Sequence, residues 1–189
     1  MADKKLIDLL EKGNKAVKKG KLKKALKYYE ESVEENPNFY EGWYSMVWVN
    51  VDLGKIEDAI KCLENVVEIK PNTAQHYRDL GLLYAKLKDF DKAIELVEKA
   101  TNLNPDDDYA WFQLGNLHIN KDDKISAMMA WSQAIKVNPE HKEAWESLGL
   151  INAQSGNIEQ SLDCYERALE LAPDDEVVQK NIEFLKSKL

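Results

Sequence analysis

The sequence predicts an all-α protein built as a solenoid of antiparallel helix pairs, and three observations carry that prediction. All five prolines, Pro37, Pro71, Pro105, Pro139 and Pro173, stand 34 residues apart. Other columns keep the same step: Gly81, Gly115 and Gly149; Trp43, Trp111 and Trp145, with one step skipped; and Gly20, Gly54 and Gly156. Within each period the apolar residues recur at i, i+3, i+4 and i+7, the spacing of one helix face. A fixed period in the range of about 20–50 residues means stacked supersecondary units, each too small to bury its apolar stripe alone.

In chain order the reading is a short tail at 1–5, then units at 6–39, 40–73, 74–107, 108–141 and 142–175, then a closing segment at 176–189. The third unit shows the logic. Tyr77, Leu80, Gly81 and Tyr84 form one helix face, and after Lys88-Asp89 a second set follows, Phe90, Ala93, Ile94, Val97 and Ala100. The pattern stops at Asn104-Pro105, where proline cannot continue a helix, and Asp106 is the expected N-cap of the next one. Each helix should run about 20 Å. Glycines in the eighth position of the first helices let the paired helices approach closely. The segment "EVVQKNIEFLKSKL" combines Val177, Val178, Phe184 and Leu185 with Lys180, Lys186 and Lys188, and reads as an amphipathic helix hiding the last core edge. With it the array is expected to be complete.

Composition limits the function. The chain has 189 residues, 44% hydrophobic and 32% charged, a soluble globular balance. Its longest apolar candidate, the uncharged run 42–51, is half of the about 20 residues a spanning helix needs. "MADKKLIDLLEKG" carries charge through the place where a secretory leader has its apolar core. A cytoplasmic protein without membrane contact is expected. A net charge of −8 and only two arginines, Arg78 and Arg167, argue against nucleic acid. The basic run Lys15, Lys18, Lys19, Lys21, Lys23, Lys24 and Lys27 reads as a solvated helix-turn-helix face, with an anionic docking patch as the alternative.

Nothing in the sequence points to catalysis, a cofactor or a metal. Cys62 and Cys164 share a column three units apart. With helix axes about 8–10 Å apart, that separation is far beyond disulfide reach, so reduced structural thiols are expected. His76, His118 and His141 do not cluster as metal ligands must, and His118 occupies a packing column as a hydrogen-bonded core histidine. No glycine-rich phosphate loop appears, and no nucleophile has a base at a suggestive spacing. The acidic groups such as Asp106, Asp107 and Asp108 sit at helix starts, where the helix dipole favours them.

The residues resemble the tetratricopeptide repeat family. "YRDLGLLY" (77–84), "WFQLGNLH" (111–118) and "WESLGLIN" (145–152) are similar to its first-helix signature, and Ala25/Tyr29 and Ala127/Trp131 to its second-helix signature. The resemblance covers five repeats, from Leu6 to Asp175. It implies a right-handed superhelix whose first helices line a concave groove for extended peptides or partner helices. The matching groove positions here are Leu10 and Asn14; Tyr44, Trp48 and Val51; Arg78 and Leu82; and Tyr109, Phe112, Gln113 and Asn116. In family members an asparagine at the column of Asn14 and Asn116 often grips ligand backbone, since an amide both donates and accepts. Trp48 replaces it in the second repeat. Val47, where the other repeats have glycine, leaves a second option: helices set wider apart, with Trp48 tucked in as core. The co-chaperone clamp for heat-shock C-terminal carboxylates matches only at Asn14, since its other positions hold Leu10, Ser45, Gln75 and Asp79, so no such tail is expected to bind.

The expected function is a non-enzymatic adaptor that takes a partly apolar peptide or helix of a protein partner in its groove. Self-association through the Trp48 patch or the array ends is one alternative. The other is a regulatory subunit that docks on an enzyme complex through its convex or lysine-rich face.

Overall fold

Eleven helices make up the described part of the chain, in the order α1 (Ala2–Val17), α2 (Leu22–Glu35), α3 (Tyr40–Asp52), α4 (Ile56–Ile69), α5 (Ala74–Lys86), α6 (Phe90–Leu103), α7 (Asp108–Asn120), α8 (Lys124–Val137), α9 (Lys142–Gln154), α10 (Ile158–Leu171) and α11 (Glu176–Lys186). The computed structural model describes residues 2–188, and their side chains from Lys4 onward, so Met1 of the expected tail and Leu189 of the closing segment lie outside it. No strand occurs among the described residues, and none of their helices is long and apolar enough to cross a membrane. The architecture is an α-solenoid of tetratricopeptide type. Residues 2–5, read from the sequence as a tail, are instead the first turn of α1, and Lys5 pairs there with Glu35 of α2.

The chain divides into two units, Met1–Leu96 and Val97–Leu189. In the first, α1 packs on α2, α2 on α3, α3 on α4 and α4 on α5. Its core is built from small residues of the second helices, Ala25 and Ala59, against larger ones such as Tyr29, Leu63 and Val66. In the second, α7 packs on α8, α8 on α9, α9 on α10 and α10 on α11. Trp131, Leu148 and Ile151 make one cluster of that unit, and Tyr165, Val178, Ile182 and Leu185 make the next.

Turn chemistry explains two of the repeating columns. Gly20, Gly54 and Gly156 have φ of 68°, 72° and 77°, a left-handed conformation that closes the helix before each. Lys88 and Asp122 stand at the same register and adopt φ of 63° and 58° without glycine's freedom. Three of the five prolines follow asparagines whose side chains tighten the turn: Asn36 Oδ1 accepts from Asn38 N, Asn104 Oδ1 from Asp106 N and Asn138 Oδ1 from Glu140 N, while Lys70 and Ala172 precede the other two. The Asp106 N–H belongs to this Asx turn, and the N-cap of α7 is Asp107, one residue later than expected, accepting from Ala110 N at 3.0 Å.

Close helix approach explains the glycines of the first helices. A Cβ on Gly13 would strike the Tyr29 ring, and one on Gly115 the Trp131 ring, in each case at less than 3.0 Å. In the α3–α4 pair the residues at the same register are Val47 and Leu63, both fully buried. Volume has moved from the second helix to the first, a swap that keeps the pair filled. The closing helix departs from expectation. Val178, Ile182 and Leu185 form its buried stripe, while Val177 and Phe184, expected inside, are 68% and 61% exposed. Their register lies off the i, i+4, i+7 set that meets α10, and Phe184 is capped by Lys188 Nζ, 5.1 Å from its ring.

Candidate docking surface

Tryptophan is the residue type that separates scaffold from site. Trp43 Nε1 donates to Pro37 O at 2.8 Å, Trp111 Nε1 to Pro105 O at 2.9 Å and Trp145 Nε1 to Pro139 O at 2.9 Å. Each indole thereby latches the turn that precedes its own helix, which is why proline and tryptophan share a period. Gln179 repeats the device on Pro173 O at 2.7 Å. Trp131 Nε1 donates to Asn116 Oδ1 at 3.2 Å. Trp48 is the exception. It is 43% exposed, and its N–H meets no acceptor among the described residues.

The indole crowns an aromatic ladder that the i, i+4, i+8 spacing of α3 creates. Tyr40 and Tyr44 stack with centroids 5.6 Å apart, and Tyr44 meets Trp48 edge to face at 6.0 Å and 87°. From α5, the His76 ring lies 5.5 Å from both tyrosines and its Nε2 is 2.9 Å from the Tyr40 hydroxyl. Burial holds its pKa below the ordinary histidine value, which favours the neutral ring beside that hydroxyl. Lys70 Nζ sits 3.4 Å over the other face of Tyr40. Gln75 Nε2 donates to the Tyr44 hydroxyl at 3.2 Å. The tyrosines are therefore fixed, and the last rung is the one left open. Val51, one residue short of a full step, is half-buried.

The other first-unit residues named from the sequence differ in standing. Asn14 is exposed, and its Oδ1 accepts from the Tyr29 hydroxyl at 2.7 Å. Leu10 and Leu82 are half-buried. Arg78 was expected to face a ligand, but its side chain is only 18% exposed, with Nε 3.8 Å from Asp79 Oδ1. A guanidinium so enclosed beside a carboxylate serves the α5 packing first.

In the second unit Asn116 borders a hollow of about 360 Å³ that Ile119, Ser147, Leu150 and Gln154 also line. A second, of about 450 Å³, shares Ser147 and Leu150 and runs to Asn181. Leu150, 53% exposed at the register of Asn116 on α9, and Ile119 were missed in the sequence. Their signal was present, since both stand in columns read as groove-lining elsewhere. Tyr109 is exposed and Gln113 half-buried. Phe112 is half-buried and packs against the buried His141 ring at 4.7 Å within this unit.

The asparagine column also needs correcting. Trp131 Nε1 can only donate, so it fixes the Asn116 oxygen inward and leaves the NH2 outward. The amide presents a donor, not the donor–acceptor pair expected. In the α3–α4 pair the partner position is Leu63, which has no polar hydrogen to satisfy, and there the asparagine is free to become Trp48.

The cysteines are inert by position. Both are buried, Asn50 Nδ2 approaches Cys62 Sγ at 3.7 Å, and burial pushes each thiol up to about 11. His118 is half-buried with Nδ1 3.7 Å from Asp123 Oδ2, a contact with a loop carboxylate in place of a core hydrogen bond.

Comparison with known families matches the tetratricopeptide repeat over residues 9–39, 74–117 and 114–181, and the TPR repeat over 49–88. Together the matches cover most of the chain. It belongs to the tetratricopeptide repeat family. Among solved structures this TPR protein is similar to MamA, at 24% identity and a TM-score of 0.81 over 89% of this chain and 92% of that one. It is also similar to YrrB, described as a TPR protein with an unusual peptide-binding site, at 22% identity and a TM-score of 0.75 over 96% and 91%. A tetratricopeptide repeat protein from Parabacteroides merdae ATCC 43184 gives 18% identity and a TM-score of 0.83 over 96% and 72%. These likenesses show the fold. A search of curated proteins finds no match.

Proposed function

We propose that this TPR protein is a non-enzymatic interaction scaffold, and that the open rung of the α3 ladder, Trp48 with Tyr44 and Val51 on the same helix and Asn14 at the same register on α1, docks a partly apolar segment of a protein partner. The observation that carries this reading is the contrast among the five tryptophans: four spend their indole N–H inside the fold, and Trp48 does not. Burying an aromatic covers about 150–250 Å², so a ligand that closes over this ring gains several kcal/mol before association costs. YrrB, similar in fold, is described as binding peptide. The test is affinity capture from a native lysate with wild type and Trp48→Ala, read together with light scattering across a concentration series. A partner lost with the indole supports the reading, and identical partner lists overturn it. A Trp48-dependent rise in mass with concentration transfers the surface to self-association.

A second reading has its own support. Lys12, Lys15, Lys19, Lys21 and Lys24 converge with Tyr28 on a hollow of about 150 Å³ between α1 and α2. Of the whole run, Lys15, Lys18, Lys19, Lys21, Lys23, Lys24 and Lys27 have no carboxylate within ion-pair distance among the described residues. Unpaired lysines in a chain of net charge −8 favour an acidic partner surface. Capture abolished by reversing Lys18, Lys19 and Lys23 to glutamate, and retained in Trp48→Ala, assigns docking to this face.

A further inference from the structure

The polar groups around the exposed indole are unequal in kind, and the inequality selects a ligand. Trp48 Nε1 is a donor with no acceptor among the described residues. The Tyr44 hydroxyl accepts from Gln75 Nε2 at 3.2 Å, which leaves its own hydrogen to donate outward. Asn14 spends its oxygen on the Tyr29 hydroxyl at 2.7 Å, so the NH2 is what it offers. The same phenol faces Ser45 on α3, one turn before Trp48, which ties Asn14 to the ladder. Three sets of donors thus stand against one open amide oxygen in this group, Oε1 of Gln75.

A helical ligand satisfies its backbone carbonyls internally and has none to give these donors. An ordinary extended segment offers carbonyls but brings an equal number of N–H groups, and a buried N–H without a partner weakens binding. Proline removes that difficulty, because it contributes a carbonyl and no N–H. The polyproline II helix has no internal hydrogen bonds, keeps its carbonyls outward and is stiff before it binds. Its flat rings also suit the perpendicular edge that Tyr44 and Trp48 make, 6.0 Å apart at 87°.

We infer that the α3 ladder recognises a proline-rich segment in the polyproline II conformation, with the Trp48 N–H donating to a ligand carbonyl and the indole and Tyr44 rings packing on proline rings. This rests on the reading of the Trp48 surface as the docking site, and it narrows the occupant from any partly apolar segment to one chemistry.

The experiment is a ¹⁵N NMR titration of the full chain with three probes: decaproline, a glycine–serine decapeptide and an amphipathic apolar helical peptide. The indole resonance of Trp48 is assigned by its disappearance in Trp48→Phe, whose amide dispersion also reports that the variant folds. Decaproline is expected to shift that resonance saturably, and the glycine–serine peptide to leave it in place. Trp48→Phe keeps a ring but loses the N–H, so decaproline affinity should fall about fivefold, the worth of one neutral hydrogen bond. Undiminished affinity in Trp48→Phe overturns the inference. So does a shift of the Trp48 resonance with the helical peptide and none with decaproline, in which case the docking surface itself stands. If no probe moves the resonance, both the inference and the docking reading fall.

Discussion

Trp131 donates its indole N–H to Asn116 Oδ1 at 3.2 Å, across the α7–α8 pair and at the margin of the second unit's hollow of about 360 Å³. The bond satisfies a buried donor and turns the amide NH2 outward. Trp131 is only 5% exposed, so its N–H depends on the acceptor that Asn116 supplies. Asn116→Ala should therefore cost about 1–3 kcal/mol in urea unfolding, the penalty of an unsatisfied buried donor. Combined with Trp131→Phe, the loss should be smaller than the sum of the two single losses. Additivity would mean that the bond does not form in solution.

The eighth-position glycines invert a familiar rule. Glycine to alanine within a helix ordinarily stabilises by about 0.5–1 kcal/mol. At Gly13 and Gly115 the added methyl would enter the rings of Tyr29 and Trp131, which are pinned by Asn14 and Asn116 and cannot swing aside. Both Gly13→Ala and Gly115→Ala should destabilise by about 1–3 kcal/mol, the range for overpacking. Gly149→Ala should be milder, since its Cβ would stand 3.1 Å from Tyr165. Thermal midpoints of the three variants test the ranking.

The turn column makes the opposite prediction. Lys88 and Asp122 hold left-handed backbone conformations that glycine occupies at the same register in Gly20, Gly54 and Gly156. That conformation costs a residue with a side chain about 1–2 kcal/mol, less for aspartate. Lys88→Gly should raise stability by up to about 1 kcal/mol once glycine's larger unfolded-state entropy is set against the relief. Asp122→Gly should gain less. A fall in the urea midpoint for Lys88→Gly would contradict the assignment of strain.

The fold was legible because its information is periodic. Proline, glycine and the apolar stripes repeat every 34 residues, and each repetition reports the same local physics. What escaped is non-periodic or depends on a partner elsewhere in the chain. Val47 left a wider helix spacing open as a second option, and only its pairing with the fully buried Leu63 shows the space refilled. Arg78 stood in a groove column, yet the neighbouring Asp79 draws it inward. The asparagines were read as two-sided because their oxygen partners, Tyr29 and Trp131, lie 15 residues along on another helix. Phe184 and Val177 were placed inside by their hydrophobicity, whereas the register of α11 against α10 decides otherwise.

The join between the closing helix and its neighbour should be acid-sensitive in one direction. Asp175 caps α11, accepting from Val177 N at 3.0 Å and Val178 N at 3.1 Å, and Lys142 Nζ lies 2.7 Å from its other oxygen. Lys142 also reaches Glu146 at 2.7 Å. The lysine hydrogen bond first, and the Val178 N–H after it, hold the Asp175 carboxyl below its ordinary 3.8, while the two carboxylates hold the ammonium well above the usual lysine value. A carboxyl depressed in the folded state binds its proton more weakly there than in the unfolded chain. Its contribution is therefore complete above 3.8 and is lost as pH falls through the lower folded value. Asp175→Asn keeps a capping acceptor but removes the charge, so at neutral pH it should unfold at lower urea than wild type. The gap should close as pH drops below 3.8, when the wild-type carboxyl also becomes neutral. Lys142→Met should show the same convergence. A gap that stays constant from neutral to strongly acidic pH would show that the charge contributes nothing and that capping alone holds α11 in place.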